Sequence, residues 1–364
     1  MAFSAVTGWG RVGGAMSLKS LIDTGTKVWS DSVDPDVLER DIPQGITGAT
    51  SNPVIISDLI KSGRFDKHLE SLMEEMNDTA VAWEMTSYLV GEAQERFFDV
   101  WSRTGGEDGW VSFELDPLIE DPGLKLPHEE RVRRYITLGR HWSSGHVNRM
   151  IKVPATPAGI EALETLAAEG VTLNVTLIFT ERQYERSREA IWRGAQKRKG
   201  GLDAFKSVYS IFISRVDVYT DKKVPELSDE AQGWMGLLNA KKLWASNQAF
   251  WRQKRLRLSQ EIIFASTGAK LDWQEPDYYV KHVAGSDIQT NPPETNDYVA
   301  QNDVKLSRTV DQMPPKQVLE ELAQKVDVDR MEDVLMEEGI EKFAKPQRKL
   351  LEAVKEKRAA LRKG

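Results

Sequence analysis

One lysine, Lys152, stands in an apolar setting that suits covalent chemistry. It lies between Ile151 and Val153 in the run RMIKVPAT, where the pattern predicts a strand over Met150–Pro154. A side chain there points either into a barrel or onto a covering layer of helices, and both places solvate an ammonium group poorly. Such burial leaves part of a lysine population as free amine near neutral pH, and a free amine can attack a ketose carbonyl to form a Schiff base. The alternative is a lysine at a strand end that reaches water or pairs with a carboxylate.

Further polar side chains stand at or near the C-terminal ends of other predicted strands. Two of them alternate in the run TLNVT and so face the same side, and three residues of VYSIFIS share one face. Singly, such residues are more often caps, turn residues or ion-pair partners. A set of acids, amides and a lysine spread over several strands is harder to explain by such structural roles alone. The residues concerned are Asp31, Asn52, Glu114, Asn174, Thr176, Ser210, Phe212, Ser214 and Arg215.

The elements that must position these side chains alternate between short β-rich runs and longer helical runs. Eight strands interleaved with helices predict parallel βα units that close into a (β/α)8 TIM barrel, an α/β fold. A doubly wound open sheet is the alternative, but no glycine-rich phosphate-binding run follows the first strand. The predicted strands are Lys27–Asp31, Gly45–Ser51, Trp110–Leu115, Met150–Pro154, Val171–Thr176, Ser207–Arg215, Glu261–Ser266 and Asp287–Asn291, and the predicted helices include Val81–Trp101, Glu129–Ser144, Pro157–Glu169 and Arg182–Ala195.

The sequence favours a single domain over residues 1–364. Its 364 residues exceed the roughly 250 of a minimal barrel, so we expect additional N- and C-terminal helices and one insertion. A helical insertion after strand 6 is predicted over 224–260, where three tryptophans occur. A C-terminal helical segment is predicted over 326–364, packed on the barrel.

Composition excludes several classes of site and partner. The chain has no cysteine, which removes disulfides, cysteine nucleophiles and thiolate metal sites and fits a reducing compartment. The net charge of −7 disfavours broad nucleic-acid binding, and the basic C-terminal run is interpreted as the solvated face of an amphipathic helix. The five histidines form no ligand cluster, because His141 and His146 miss the i, i+4 spacing of a helical zinc pair. We therefore expect no catalytic metal.

The chain is predicted to be cytoplasmic. No stretch reaches the ~20 apolar residues that span a bilayer, so no membrane association is expected. The segment Met1–Met16 lacks a basic region followed by an apolar core, so no signal peptide is predicted.

Four segments give the chain a specific resemblance to a known family. They are GITGATSNPVI, MIKVPATPAGIEALETLAAEGVTLNVTLIFT, VYSIFISRVD and GIEKFAKPQRKLLEAV. Together they resemble the second-strand motif, the Schiff-base segment, the sixth-strand motif and the closing helix of the transaldolases. The resemblance runs roughly from Ser17 to Leu361, and the part over 152–180 is the most specific. It places the chain with the longer transaldolases.

The resemblance implies roles for the residues that carry out the reaction. Lys152 would form the imine with the ketose carbonyl. Asp31 would take the proton of the C4 hydroxyl when the C3–C4 bond breaks. Glu114 and Thr176 would hold a water that carries protons while the imine forms and is hydrolysed. These residue types suit the chemistry independently, since the cleavage needs a base and imine exchange needs an acid and a base.

The resemblance also implies a substrate-binding set. Asn52 and Asn174 would bind the dihydroxyacetone hydroxyls, with Thr50 and Ser210 nearby, and Arg215 would bind the substrate phosphate. One departure concerns the phosphate site, because the run ASTGAK has Gly268 where the common family motif has arginine. Ser266 matches the family serine, and Lys270 is a candidate to replace the missing cation.

Two positions bear on whether the bound three-carbon unit is transferred or released. Relatives that act as simple aldolases tend to have Gln at the position of Glu114 and Tyr at the position of Phe212. This chain has the transferase-like residue at both. A site without an extra phenol should protonate the enamine less readily, which favours transfer to an aldehyde.

The function implied is transfer of dihydroxyacetone between sugar phosphates. The donor would be sedoheptulose 7-phosphate or fructose 6-phosphate, and the acceptor glyceraldehyde 3-phosphate or erythrose 4-phosphate. No cofactor is needed, because the protonated imine is itself the electron sink. The alternatives are a fructose 6-phosphate aldolase-type lyase and a catalytically silent barrel that binds sugar phosphates. As assembly state, monomer and homodimer both remain open.

Overall fold

The computed structural model of the protein describes residues 18–302 and 304–361. Eight parallel strands follow one another in chain order around a closed barrel, which confirms the predicted (β/α)8 fold. The expectations for Met1–Met16 lie outside the described residues. The strands are β1 (Lys27–Ser30), β2 (Gly48–Thr50), β3 (Val111–Glu114), β4 (Arg149–Pro154), β5 (Leu173–Ile178), β6 (Ser207–Phe212), β7 (Glu261–Ala265) and β8 (Ile288–Asn291).

Helices occupy most of the chain between and beyond these strands. In the described part of the chain they are α1 (Lys19–Ile22), α2 (Pro35–Asp41), α3 (Pro53–Lys61), α4 (Asp66–Glu75), α5 (Asp78–Arg103), α6 (His128–Ser143), α7 (Pro157–Ala168), α8 (Glu181–Ala195), α9 (Ser214–Lys223), α10 (Met235–Arg252), α11 (Tyr278–His282), α12 (Pro293–Gln301), α13 (Lys316–Lys325) and α14 (Val328–Leu361), with 3₁₀ turns at Ile42–Gln44, Pro117–Glu120 and Pro122–Leu124. Within 18–302 and 304–361, no helix is both long and apolar enough to cross a membrane.

The pairing register of β3, β4 and β5 places candidate site residues side by side. β3 pairs with β4 so that Glu114 lies opposite Lys152, and β4 pairs with β5 so that Lys152 lies opposite Asn174. Residues on both sides of Lys152 in β4 are fully buried, as expected for strands covered on both faces. Three neighbouring strands therefore bring a carboxyl, an amine and an amide to one level of the barrel.

The sixth strand ends earlier than its sequence predicts. It stops at Phe212, and Arg215 belongs to the first turn of α9 instead of the strand. Ile213 already has a helical backbone conformation, and the Ser214 amide donates to the Ser266 carbonyl at 3.0 Å. The prediction failed because a continuous apolar run does not show where a strand changes into a helix.

The segment 224–260 forms part of the regular helical layer. Its helix is α10, which packs on β6, β7, α8 and α9 and so covers the barrel between the sixth and seventh strands. A (β/α)8 barrel has one covering helix after each strand. Two helices follow β6 here, and the additional one is the short helix α9, which follows β6 directly. The predicted insertion thus corresponds to a covering helix preceded and followed by turns.

The C-terminal helix α14 closes one end of the barrel. It packs against α3, α5, α9 and the 3₁₀ turn Pro117–Glu120, all of which follow or flank strand ends. Pro346 lies inside this helix and cannot donate a hydrogen bond to the carbonyl one turn earlier. The predicted C-terminal helical segment therefore lies over the face where the candidate chemical residues are.

The opposite, N-terminal end of the barrel contains a buried group of charges. Lys206 is fully buried and pairs with Glu261, whose carboxylate also lies 2.9 Å from the Lys27 amine. Glu107 completes the group at 3.4 Å from Lys27 and 3.6 Å from Lys206. Two lysines therefore contact one buried carboxylate, and removing it leaves the fully buried Lys206 with the more distant Glu107 as its remaining carboxylate partner.

Glu261→Gln should lower the free energy of unfolding by about 3 kcal/mol, in the range found when one partner of a buried ion pair is removed. Urea unfolding followed by circular dichroism measures this change. The matched control is Glu320→Gln, which removes an exposed ion pair with Lys316 and should change stability by less than ~0.5 kcal/mol. Equal effects of the two substitutions would contradict a supporting role for the buried group.

Candidate active site

A cavity of about 540 Å³ opens at the C-terminal ends of the strands, beneath α14. It is the end of the barrel at which enzymes of this fold place their chemistry. Most of the residues predicted from the sequence line it: Asp31, Thr50, Asn52, Lys152, Thr176, Ser210, Phe212, Arg215, Ser266 and Lys270. Glu114 and Asn174 lie next to this set, below the cavity surface.

Lys152 and Glu114 form a buried pair at the floor of the cavity. The Lys152 Nζ lies 3.1 Å from the Glu114 Oε2, and the two side chains are only 9% and 7% exposed. Burial raises the pKa of Glu114 to about 7, and the neighbouring Lys152 charge opposes but does not cancel that rise. A carboxyl group that titrates near neutral pH can both give and accept a proton. The pair therefore places an amine, a group that can act as a nucleophile, beside a carboxyl group able to exchange protons.

Asp31 follows the end of β1 and faces the same cavity. Its Oδ1 accepts a hydrogen bond of 3.0 Å from the Thr50 hydroxyl at the end of β2. Burial raises the pKa of Asp31, while the Lys152 charge and the Thr50 hydrogen bond act in the opposite direction. Burial makes this carboxylate a stronger base than an exposed aspartate, as abstraction of a hydroxyl proton requires.

Thr176 stands where the fifth strand becomes irregular. The register between β5 and β6 shifts between Val175 and Ile178, and Leu177 has a positive φ of 57°. Bulges of this kind redirect side chains near active sites. The Thr176 hydroxyl is buried, with no hydrogen-bond partner in the described part of the protein. It lines both the main cavity and a side cavity of about 20 Å³ that Glu114 also lines.

The two predicted asparagines have different surroundings. Asn52 is the N-cap of α3, where its Oδ1 accepts from the amides of Val54 and Ile55, so its amide nitrogen is the group left for a ligand. Asn174 is fully buried, donates to the Ser112 hydroxyl at 2.9 Å and accepts from the Ser210 hydroxyl at 2.7 Å. Ser210 lines the cavity and Asn174 does not. A direct role for Asn174 in binding a ligand remains a prediction.

Three cations meet at the other side of the cavity. The Arg215 guanidinium lies 4.8 Å from the centre of the Phe212 ring, and its Nη1 is buried and unpaired among residues 18–302 and 304–361. Burial, together with the charges of Arg215 and Lys342, lowers the pKa of Lys270 to about 8. Lys342 lies on α14 and pairs with Glu338 at 3.0 Å. Positive charges this close repel one another, and a bound anion would relieve that repulsion.

Sequence reasoning missed the side chains that come from the last two helices bordering the cavity. Glu294 of α12 and Lys342, Phe343 and Pro346 of α14 all line it. The run GIEKFAKPQRKLLEAV was singled out as a closing helix, but its pattern gives no sign of which residues face a ligand. Among the described residues, no group of His, Cys, Asp or Glu side chains could hold a metal ion.

A comparison with known families covers most of the chain. Residues 28–354 match the family described as Transaldolase/Fructose-6-phosphate aldolase. The chain belongs to this family. A protein named Transaldolase from Trichodesmium erythraeum is 28% identical over 93% of this chain and 97% of its own length. Proteins of the same name from Mycolicibacterium paratuberculosis and Thermobifida fusca are 31% and 30% identical, over 92% and 94% of this chain and 95% and 98% of their own.

In this family member the cation group should bind oxyanions in a way that depends on pH. Sulfate is a suitable probe because it remains a dianion between pH 6 and 9. Arg215→Ala should weaken sulfate binding by ~2 kcal/mol, the value of a hydrogen bond to a charged group. Lys270 is protonated below its pKa of about 8, so Lys270→Ala should weaken binding at pH 6.5 and have little effect at pH 9. Titration calorimetry measures both.

The control for the sulfate experiment is Lys316→Ala, which removes an exposed lysine outside the cavity. The sulfate affinity of this variant should match that of the unmodified protein at both pH values. A Lys270→Ala variant that binds sulfate as well as the unmodified protein at pH 6.5 would show that Lys270 does not take the place of the missing arginine.

Proposed function

We propose that this protein is a transaldolase that transfers a dihydroxyacetone unit between sugar phosphates through a Schiff base on Lys152. The observation that carries the proposal is the buried Lys152 amine 3.1 Å from Glu114, in a cavity that also contains Asp31 and a group of cations. The donor is a ketose phosphate such as sedoheptulose 7-phosphate or fructose 6-phosphate. The acceptor is an aldose phosphate such as glyceraldehyde 3-phosphate or erythrose 4-phosphate.

The first step of the proposed reaction is formation of the imine. The Lys152 amine attacks the C2 carbonyl of the ketose, and the resulting carbinolamine loses water to give a protonated imine. Glu114 supplies and recovers protons in this step, since its pKa of about 7 lets it do both. The Thr176 hydroxyl, which lines the side cavity with Glu114, is placed to hold the water involved.

The second step breaks the C3–C4 bond. Asp31 takes the proton of the C4 hydroxyl, the C3–C4 electron pair moves into the protonated imine, and an aldose phosphate leaves. The remaining three-carbon enamine then attacks the aldehyde carbon of the acceptor, and Asp31 returns its proton to the new hydroxyl. Hydrolysis of the product imine restores the Lys152 amine. Arg215, Lys270 and Lys342 hold the phosphate of donor and acceptor in turn.

Two alternatives share parts of this site. A lyase would use the same imine and release free dihydroxyacetone, and the family includes fructose 6-phosphate aldolases as well. Glu114 and Phe212 favour the transferase, because Phe212 lines the cavity as a phenyl ring without a hydroxyl proton. A silent sugar-phosphate-binding barrel is disfavoured because it would not be expected to keep Lys152, Asp31 and Glu114 together.

The absence of cysteine in the sequence favours a cytoplasmic location for the reaction.

Lys152→Ala should reduce transfer from fructose 6-phosphate to erythrose 4-phosphate by at least ~10³-fold, because it removes the covalent nucleophile. Formation of sedoheptulose 7-phosphate, followed by chromatography, measures transfer. Lys222→Ala, which removes an exposed lysine of α9 that does not line the cavity, is the control and should keep full activity. Near-normal transfer by Lys152→Ala would exclude the proposed mechanism. Free dihydroxyacetone as the main product with acceptor present would favour the lyase.

A further inference from the structure

Phe343 of the C-terminal helix occupies a position that the reaction as proposed leaves unexplained. Its ring lines the main cavity and also the small side cavity that contains Glu114 and Thr176. The Lys152 Nζ lies 5.5 Å from the centre of the ring, and the Arg215 guanidinium lies 5.8 Å from it. One apolar ring therefore lies close to both the Lys152 amine and the Arg215 guanidinium and borders the side cavity beside Glu114.

The helix is held at this position by close packing one turn earlier. A side chain at Gly339 would meet the Leu177 side chain at 3.2 Å, so the absence of a side chain lets α14 approach the end of β5. Residues 339 and 343 are four apart and lie on the same face of the helix. Phe343 packs with the apolar cluster that includes Leu177, Phe179 and Phe212. The ring thus belongs to an apolar cluster that reaches the main cavity through Phe212 and Phe343.

The side cavity has room for about one water. Its volume is about 20 Å³, and a cavity needs roughly 10–15 Å³ to hold one water molecule. The main cavity is many times larger and opens to solvent. Phe343 borders both cavities, as Thr176 does, so its ring lies at the boundary between the water position beside Glu114 and the main cavity that Lys152 lines.

The fate of the enamine depends on how readily water reaches it. Release needs a proton from solvent to form a C–H bond at C3, which converts the enamine into a protonated imine. A water oxygen then adds to the imine carbon, and the C–N bond breaks to return the Lys152 amine and free dihydroxyacetone. Transfer instead forms a C–C bond with the acceptor aldehyde and needs no solvent proton at C3. Excluding water from the enamine therefore favours transfer over release.

We propose that Phe343 determines this partition: its ring shields the enamine on Lys152 from solvent, so that the three-carbon unit passes to an aldehyde and not to water. This inference rests on the proposed transaldolase function. The ring also lies within the ~6 Å over which an aromatic face attracts a cation, so it stabilises the protonated imine that precedes and follows the enamine.

The test compares Phe343→Ala and Phe343→Leu with the unmodified enzyme in the presence of fructose 6-phosphate and erythrose 4-phosphate. The ratio of free dihydroxyacetone to sedoheptulose 7-phosphate is the quantity measured. It should rise by ~10-fold or more in Phe343→Ala, since opening the site to water accelerates a proton transfer that is otherwise restricted. Phe343→Leu keeps apolar bulk and a folded core, so it should raise the ratio by a smaller factor that still exceeds twofold.

The control is Leu351→Ala, which truncates a half-buried residue of the same helix that packs on the core and does not line the cavity. If Phe343 contributed only to stability, its two variants would have a lower melting temperature and an unchanged ratio, which is the result expected of Leu351→Ala. A ratio within twofold of the unmodified enzyme in folded Phe343→Ala or Phe343→Leu, or an equal rise in Leu351→Ala, would overturn the inference. Failure of the proposed function has a different signature, since the unmodified enzyme would then form no sedoheptulose 7-phosphate at all.

Discussion

The burial of one lysine amine next to one carboxyl group is the constraint on which the site depends. Removing both groups from water costs several kcal/mol per ion, and their attraction offsets this cost only when the geometry is good. In this barrel the geometry comes from register, because β3 and β4 place Glu114 opposite Lys152. Burial raises the pKa of Glu114 to about 7, so this carboxyl group can gain or lose a proton near neutral pH. The proposed chemistry rests on the burial of this pair.

The two ends of the same barrel use buried lysine–glutamate contacts differently. At the N-terminal end, Lys27 and Lys206 both contact Glu261, and the neighbouring carboxylates raise the pKa of Lys27 above its usual range although burial acts against them. That group of ion pairs supports the fold. At the C-terminal end Glu114 has one lysine at hydrogen-bond distance and the raised pKa of a carboxyl that can be protonated. The division agrees with the general separation of stability and function between the two faces of such barrels.

Much of the site could be predicted from strand ends alone. Lys152, Asp31 and Thr176 were found because polar residues stand out in short apolar strands, and parallel strands must bring their ends together. The predicted position of Arg215 was wrong, because it lies in α9 and not in the sixth strand. The run VYSIFISR gives no local sign that the strand ends at Phe212. Lys342, Phe343 and Glu294 were missed for a different reason. They come from helices whose amphipathic pattern predicts packing in general, and only the tertiary fold decides which of their residues face the cavity.

Borohydride reduction shows whether Lys152 carries the substrate as an imine. Borohydride converts an imine into a stable secondary amine, so incubation with fructose 6-phosphate and no acceptor should trap the three-carbon unit on the protein. Mass mapping of peptides should then find the modification on Lys152 alone and none in Lys152→Ala. Modification of a different lysine, or no modification of an enzyme that still transfers dihydroxyacetone, would contradict the account.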